Sequence, residues 1–345
     1  MTLTPGKLWG MRRLADADGF FRMLAVDQRP PIKGPIARAL DLGEAPWEEV
    51  AEVKALLVET LQGHASALLL DPHYAIPRAV DRMDPRKGLV ATLEDSVVQD
   101  GPEGRLSAEI DDWSVAKIKR MGGDAVKALI WYRPDAPEPT RRAQQDLAAR
   151  IGEACARCDI PFLLELLVYP LAAEAERSGD VAEMRAKKVE HVLGSVEEFA
   201  KPRYGVDIFK LESPLPVEDV PGPETEEGAE AQALFDEMGR LAGRPWVMLS
   251  AGAGRDDFRR IVGHAARAGA SGFLAGRAIW ADAFRLYPKW GAMQAALEGE
   301  AANYLAVLGR LAAQGRPWRE HPCYGPGGAR FHPAEAAFRH GYEGF

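Results

Sequence analysis

Cysteine is scarce in this chain: three among 345 residues, too few for a disulfide framework. That usage predicts a protein of the reducing cytoplasm. No run approaches the roughly 18 apolar residues of a membrane span. The opening MTLTPGKLWGMRRLADADGF has no apolar signal core. Basic charge is also short, with 43 Lys and Arg against 51 Asp and Glu and a net charge of −8, which speaks against nucleic acid as a partner. The seven histidines (His64, His73, His191, His264, His321, His332 and His340) show no H-x-x-x-H or similar ligand spacing. Cys155 and Cys158 form a C-x-x-C pair without a second pair, and Cys323 stands alone, so no metal site is expected. A redox pair belongs at a helix N-terminus, whereas this one ends a helical stretch, so burial is the reading for both thiols. An early G-x-G-x-x-G is absent too, which argues against a doubly wound dinucleotide-binding sheet. No cofactor is expected.

What is present is an ordinary globular composition, 47% hydrophobic and 27% charged. Short apolar runs recur at 20–27, 66–71, 88–94, 125–132, 161–169, 207–212, 245–252 and 272–280. Each has the length and content of a strand buried on both faces. Amphipathic stretches such as 47–66 and 142–159 separate most of them. Strand alternating with helix eight times predicts an α/β fold closed into a (β/α)8 TIM barrel. One barrel domain is expected over about 20–285 of the 345 residues, with two C-terminal helices in 281–315 and an irregular tail over 316–345. The link 72–87 is short for a full helix, and the Pro-rich, acidic 213–230 reads as a surface loop at the active-site face.

Barrel enzymes place their chemistry at the C-terminal ends of the strands. Four ionisable residues interrupt or end apolar runs: Asp27, Lys127, Glu165 and Lys210. Lys and Glu are seldom buried unless paired, and pairing alone is the bland explanation for any one of them. For all four together it is weaker, because buried ion pairs often cost more than apolar packing. The functional explanation is Schiff-base chemistry. A lysine attacks a ketone only as the neutral amine, and an apolar setting with a second cation nearby favours that form. Lys210, in DIFKLE, has the apolar setting; Lys127, in AVKALIW, is the candidate second cation. Glu165, in FLLELLVY, falls between them in strand order and is the candidate proton carrier.

Phosphate recognition is expected at the same end. Ser250, Gly252 and Gly254 follow the seventh run, and Gly276 with Arg277 follows the core of the eighth, where barrels commonly hold phosphate on backbone N–H groups and helix N-termini. Arg277 would add a bidentate fork. His73 falls at the catalytic face, while Trp131 and Trp280 read as packing.

AVDQR (25–29), VKALIWYRPD (126–135), FLLELLVY (162–169), RYGVDIFKLESP (203–214), LSAGA (249–253) and AGRAIW (275–280) come in an order that resembles the class I tagatose-1,6-bisphosphate aldolase family. The resemblance spans roughly 20–285. It implies a barrel, a metal-independent reaction, and cleavage of a phosphorylated ketose to dihydroxyacetone phosphate and an aldehyde. Lys210 takes the role of Schiff-base lysine and Glu165 that of proton shuttle, with Asp27 and Lys127 in support. Gln28, Arg29, Ser250, Gly252, Gly276 and Arg277 fall in the substrate-binding set. The family usually continues its DQR motif with Gly; here Pro30 and Pro31 follow, and they are expected to stiffen that loop and remove two amide donors. Arg29 is then left to meet an anion at C6, either a phosphate or the sulfonate of the related sulfofructose 1-phosphate branch. A lysine-free isomerase or epimerase using Glu165, and a non-catalytic sugar-phosphate sensor, are the rival readings. The partner implied is a phosphorylated sugar, and a homo-oligomer is compatible with the sequence.

Overall fold

The computed structural model describes residues 2–101, 103–171, 181–331 and 335–341. Ten strands are present among them: β1 (Phe21–Ala25), β2 (Ala67–Leu70), β3 (Gly88–Thr92), β4 (Gln99–Gly101), β5 (Gly104–Leu106), β6 (Ala125–Trp131), β7 (Phe162–Leu167), β8 (Ile208–Leu211), β9 (Trp246–Met248) and β10 (Gly272–Ala275). Eight of them close a barrel in the order β1-β10-β9-β8-β7-β6-β3-β2. Every pair in that ring is parallel. The remaining two, β4 and β5, form an antiparallel hairpin between β3 and β6.

The unbroken apolar runs have a direct structural cause. Side chains alternate between the two faces of a strand. Met23, Ala25, Ala67, Leu69, Val90, Ala125, Leu163, Ile208, Val247 and Leu274 form one buried cluster inside the ring. Their neighbours, such as Leu24, Leu68, Ala91, Val126, Leu164, Phe209 and Met248, belong to a second cluster between barrel and helices. Both faces are therefore buried, as parallel sheets require. Leu3, Met11 and Leu14 from the N-terminal segment, with Trp318 and Tyr324 from the tail, join the interior cluster and plug the barrel floor. Helix Pro5–Leu14 lies so close that a Cβ on Gly10 would stand 2.3 Å from the Asp124 carbonyl just before β6.

Several expectations change in detail. Pro30 and Pro31 do not stiffen a loop; they are the first two residues of helix Pro30–Ala39. Those positions have no intrahelical acceptor for an N–H, so proline costs nothing there. The 213–230 segment is a loop only as far as Thr225, which caps helix Glu226–Ala242 through its side chain, and Ser213, Leu215 and Val220 within it are buried. The eighth run is half strand: β10 ends at Ala275 and helix Arg277–Phe284 begins two residues later. The link 72–87 holds one short helix, Ala75–Ala79. Helices Trp290–Ala296 and Ala302–Ala312, joined by a π turn at Leu297–Ala301, are the two C-terminal helices. The tail is a series of short 3₁₀ turns, with residues 332–334 and 342–345 outside the described residues. No helix among the described residues is long and apolar enough to cross a membrane.

Candidate active site

Interior parity carries Asp27, Thr92, Glu94, Lys127, Glu165, Lys210 and Glu212 into the upper barrel. Lys127 pairs with Thr92 across β6 and β3, Leu129 pairs with Glu165 across β6 and β7, and Glu165 pairs with Lys210 across β7 and β8. Asp27 continues β1 two residues beyond Ala25. All of these charged residues are buried, with Lys127 at 2% exposure and Lys210 at 4%.

Lys127 is held by three carboxylates. Its Nζ lies 3.0 Å from Asp27 Oδ2, 2.5 Å from Glu94 Oε1 and 2.7 Å from Glu165 Oε2. Burial alone would lower its pKa, but Asp27, Glu165 and Glu94 together carry it well above the ordinary lysine value. It is therefore a permanent cation. Burial pushes Asp27 upward, yet Lys127 and Lys210 hold it well below the usual carboxylate range. Glu165 behaves likewise: burial raises it, and the same two lysines bring it below its ordinary value. Glu94 is the exception, because burial outweighs Lys127 and leaves its carboxyl raised. Lys210 Nζ stands 2.9 Å from the Glu165 Oε2 that also meets Lys127. One carboxylate oxygen thus bridges the two lysines.

Two supporting groups were not anticipated. Glu94 ends the run GLVATLE with the parity of Val90 and Thr92, the same signal that singled out Asp27. Glu212, two residues past Lys210, accepts the Val168 N–H at 2.7 Å and pairs with Lys188 of helix Val181–Phe199 at 3.1 Å. A fully buried pair joins Lys54 of helix Trp47–Leu61 to Asp71, just past β2, and fixes the rim: Lys54 Nζ also donates to the Val26 carbonyl at 2.8 Å, next to Asp27. Asp71 accepts the amides of His73 and Tyr74 at 3.0 and 2.9 Å, which leaves the His73 ring exposed beside the mouth.

Arg29 is buried and reaches the end of β3, where Nη2 donates to the Glu94 carbonyl at 2.9 Å. Its Nε and Nη1 are enclosed without a hydrogen-bond partner among the described residues. The Gln28 amide oxygen is enclosed in the same way.

The loops after β9 and β10 converge. Ala251 (φ 46°) and Gly252 (φ 87°) are successive left-handed residues, a conformation that turns consecutive N–H groups to one side. Helix Arg255–Arg267 starts immediately after Gly254. A Cβ on Gly252 would sit 3.1 Å from the Arg277 guanidinium, so Arg277 folds back over this loop from the first turn of its own helix. Gly276 is pressed against Ala25: a Cβ there would lie 2.5 Å from the Ala25 carbonyl and 2.8 Å from Gln28 Nε2. That same carbonyl accepts Trp280 Nε1 at 3.0 Å, so Trp280 is packing, as expected. Ser250 is buried at the base of the loop. Cys155 and Cys158 are both buried, and burial drives the Cys155 thiol upward. Among the described residues no group of His, Cys, Asp and Glu is placed to hold a metal ion.

Comparison with known proteins identifies the family and the fold. The family description "DeoC/LacD family aldolase" matches residues 21–282. The tagatose 1,6-diphosphate aldolase of Listeria monocytogenes serotype 4b (strain CLIP80459) is 35% identical over 325 residues, covering 92% of this chain and 94% of that protein. The enzyme of the same name from Lactococcus lactis subsp. lactis is 33% identical over 297 residues, covering 84% and 90%. An archaeal fructose 1,6-bisphosphate aldolase has the same fold, with a TM-score of 0.58 at 17% identity over 89% of this chain and 98% of that one. A Plasmodium falciparum fructose-bisphosphate aldolase, solved with TRAP and a small-molecule inhibitor, gives 0.62 at 15% identity over 92% and 97%. With a matched family over most of the chain and relatives above 30% identity along nearly its whole length, the chain belongs to the DeoC/LacD family of class I aldolases and is a carbon–carbon lyase.

Proposed function

We propose that Lys210 is the nucleophile of a Schiff-base aldolase that cleaves a ketohexose 1,6-bisphosphate of the tagatose type to dihydroxyacetone phosphate and a three-carbon aldehyde. The observation that carries this reading is the Glu165 oxygen shared by Lys210 and Lys127. Glu165 takes a proton from Lys210, and the freed amine adds to the C2 ketone. Glu165 returns that proton to the carbinolamine hydroxyl, which leaves as water; this restores the carboxylate and leaves an iminium, an electron sink next to C3. Glu165 then accepts the C4 hydroxyl proton, the C3–C4 bond breaks, and its electrons flow into the iminium to give an enamine. The aldehyde departs. Protonation at C3 and hydrolysis release dihydroxyacetone phosphate and return the amine. Lys127 keeps Glu165 ionised between turnovers, and Asp27 and Glu94 hold Lys127 in place.

The C1 phosphate binds on the loop of Ser250 and Gly252 and on Gly276, under the Arg277 guanidinium. Its support is the pair of helix N-termini and the left-handed turn there. Gln28 and Arg29, each with enclosed polar atoms that make no hydrogen bond among the described residues, offer hydrogen bonds to substrate hydroxyls. The test is borohydride reduction in the presence of dihydroxyacetone phosphate, read by peptide mass mapping. A stable adduct on Lys210, absent from Lys210→Ala, is expected. Trapping retained on another lysine, or no adduct in the wild type, would reject the assignment.

A further inference from the structure

The hairpin of β4 and β5 is an addition to the barrel plan, inserted between β3 and helix Val115–Arg120. It is firmly seated. Asp95 N–H donates to the Ala108 carbonyl at 2.8 Å, Ile110 N–H to the Leu93 carbonyl at 2.9 Å, and the Thr140 hydroxyl to the Glu103 carbonyl at 3.0 Å. The Trp131 amide donates to the Ser107 hydroxyl at 3.1 Å, which ties the hairpin's return to the end of β6. From β5 the hairpin projects Arg105. Its guanidinium lies 4.6 Å from the centre of the Trp131 ring and 5.5 Å from that of Tyr169. The two rings meet edge to face, so they make a two-sided aromatic seat.

That seat stands over the reaction centre. Trp131 has the parity of Lys127 and Leu129, so it faces the barrel axis, and it is partly exposed at the mouth. Leu129 is level with Glu165. Trp131 is therefore one inward position above the Glu165 and Lys210 layer, roughly 7 Å along the strand. Trp131 was expected to be packing; instead it carries a cation at the opening. Only Nε of Arg105 is engaged among the described residues, by Asp100 at 2.7 Å, so the two Nη groups are open to a ligand. The Tyr169 hydroxyl beside it is buried and has no hydrogen-bond partner among the described residues. A Cβ on Gly104 would stand 2.3 Å from that oxygen, so the hairpin packs directly on Tyr169 and fixes its ring.

Ring order gives the direction. In the closed order β1-β10-β9-β8-β7-β6-β3-β2, the strand diametrically opposite β10 is β6, and the one opposite β9 is β3. A ketose held by its C1 phosphate at the β9 and β10 loops, with C2 on Lys210 of β8, extends its other end across the mouth toward β3 and β6. The hairpin that follows β3 sets Arg105 on Trp131 of β6 at that side. Arg29 starts from β1, next to β10, and its guanidinium is anchored at the end of β3, where Nη2 donates to the Glu94 carbonyl and Nη1 lies 3.9 Å from Asp95.

Resting on the aldolase reading above, we propose that Arg105, steered by Trp131 and Tyr169, is the contact for the phosphate at C6 and so sets the preference for a bisphosphate. The readout is the ratio of kcat/KM on tagatose 1,6-bisphosphate to that on tagatose 1-phosphate. Losing a charge-assisted hydrogen bond costs about tenfold to a hundredfold. Arg105→Ala is expected to lower the ratio by that factor, Arg105→Lys to restore part of it, and Asp100→Asn to keep it. The last variant leaves the guanidinium in place while removing its tether. A ratio unchanged in Arg105→Ala, or an equal fall on both substrates, overturns the proposal. Borohydride trapping of dihydroxyacetone phosphate on Lys210 is run alongside in each protein. Its absence in the wild type overturns the underlying reading, and this proposal with it. Its presence with an unchanged ratio overturns this proposal alone.

Discussion

Glu165 Oε2 lies 2.9 Å from Lys210 Nζ and 2.7 Å from Lys127 Nζ. The first of these pairs follows from strand register, because Glu165 and Lys210 are direct partners on β7 and β8. The second joins neighbouring layers, because Lys127 is level with Leu163, two residues before Glu165. A carboxylate between two lysines can pass a proton to one while the other holds its charge.

Glu165→Gln should separate these two duties. The amide keeps the shape and can still accept a hydrogen bond, but it cannot take a proton. General acid–base assistance is worth about 10²- to 10⁴-fold, and kcat for cleavage is expected to fall by that much. Circular dichroism and thermal unfolding should stay close to wild type. A fall of less than fivefold in steady-state kcat would remove Glu165 from the proton path.

The phosphate loops lead to a paired expectation. Arg277→Ala removes a guanidinium and leaves the backbone alone, so inhibition by inorganic phosphate should weaken by about tenfold or more while stability changes little. Gly276→Ala does the reverse, since its Cβ would stand 2.5 Å from the Ala25 carbonyl and the backbone must move. A destabilisation of about 1–3 kcal/mol is expected from such overpacking. Phosphate titration and denaturant melts on the same two proteins check this. A melt unchanged by Gly276→Ala would contradict the close approach of β10 to β1.

The fold was legible because burial on both faces writes itself as apolar runs, and eight such runs separated by helical stretches leave few alternatives. Asp27, Lys127, Glu165 and Lys210 were legible for the same reason: a charge inside an apolar run has to be accounted for. Glu94 obeyed that rule too, but its run ends in an acidic segment where one more carboxylate draws no notice. Arg105 was hidden for a different reason. It lies in a three-residue strand, Gly104–Leu106, too short to show a period, and its seat is built from residues 26 and 64 positions further along the chain. The two prolines after Arg29 misled because proline in a loop and proline opening a helix look alike until the following residues are seen to be helical.

Lys54 and Asp71 form an ion pair with no exposure at either side chain. Burial pushes Lys54 downward, and Asp71 opposes it. Removing one partner of such a pair leaves an uncompensated buried charge and typically costs about 3–5 kcal/mol. Lys54→Met is expected to lose about that much in chemical denaturation. Lys54→Met with Asp71→Leu should recover a large part of it, since apolar replacements of whole buried pairs are often tolerated. Additive losses in the double variant would show that the two residues stabilise the rim independently.

Lys127→Met tests whether the catalytic carboxylates depend on their central cation. In the wild type, Asp27 and Glu165 have pKa values lowered below the ordinary carboxylate range despite burial. Each therefore stabilises the fold above the unfolded value of about 4, and that contribution is lost as pH falls through the lower folded value. Glu94 is raised by burial, so its cost grows as pH rises through its folded value. Without Lys127, Lys210 still meets Glu165, but Asp27 and Glu94 keep no lysine in contact. Burial and mutual repulsion then raise these carboxyls, and their sign reverses: stability is lost as pH rises through the raised values and regained on acidification. At about pH 8 the variant should be less stable by about 3–5 kcal/mol. Between about pH 8 and pH 5 its stability should climb more steeply on acidification than that of the wild type, in which Glu94 and Glu212 are the site carboxyls that burial raises. Urea midpoints across that range give both numbers. Parallel pH profiles for the two proteins would mean that Lys127 does not set the charge of this cluster, and the proton route through Glu165 would then need another source for its ionised resting state.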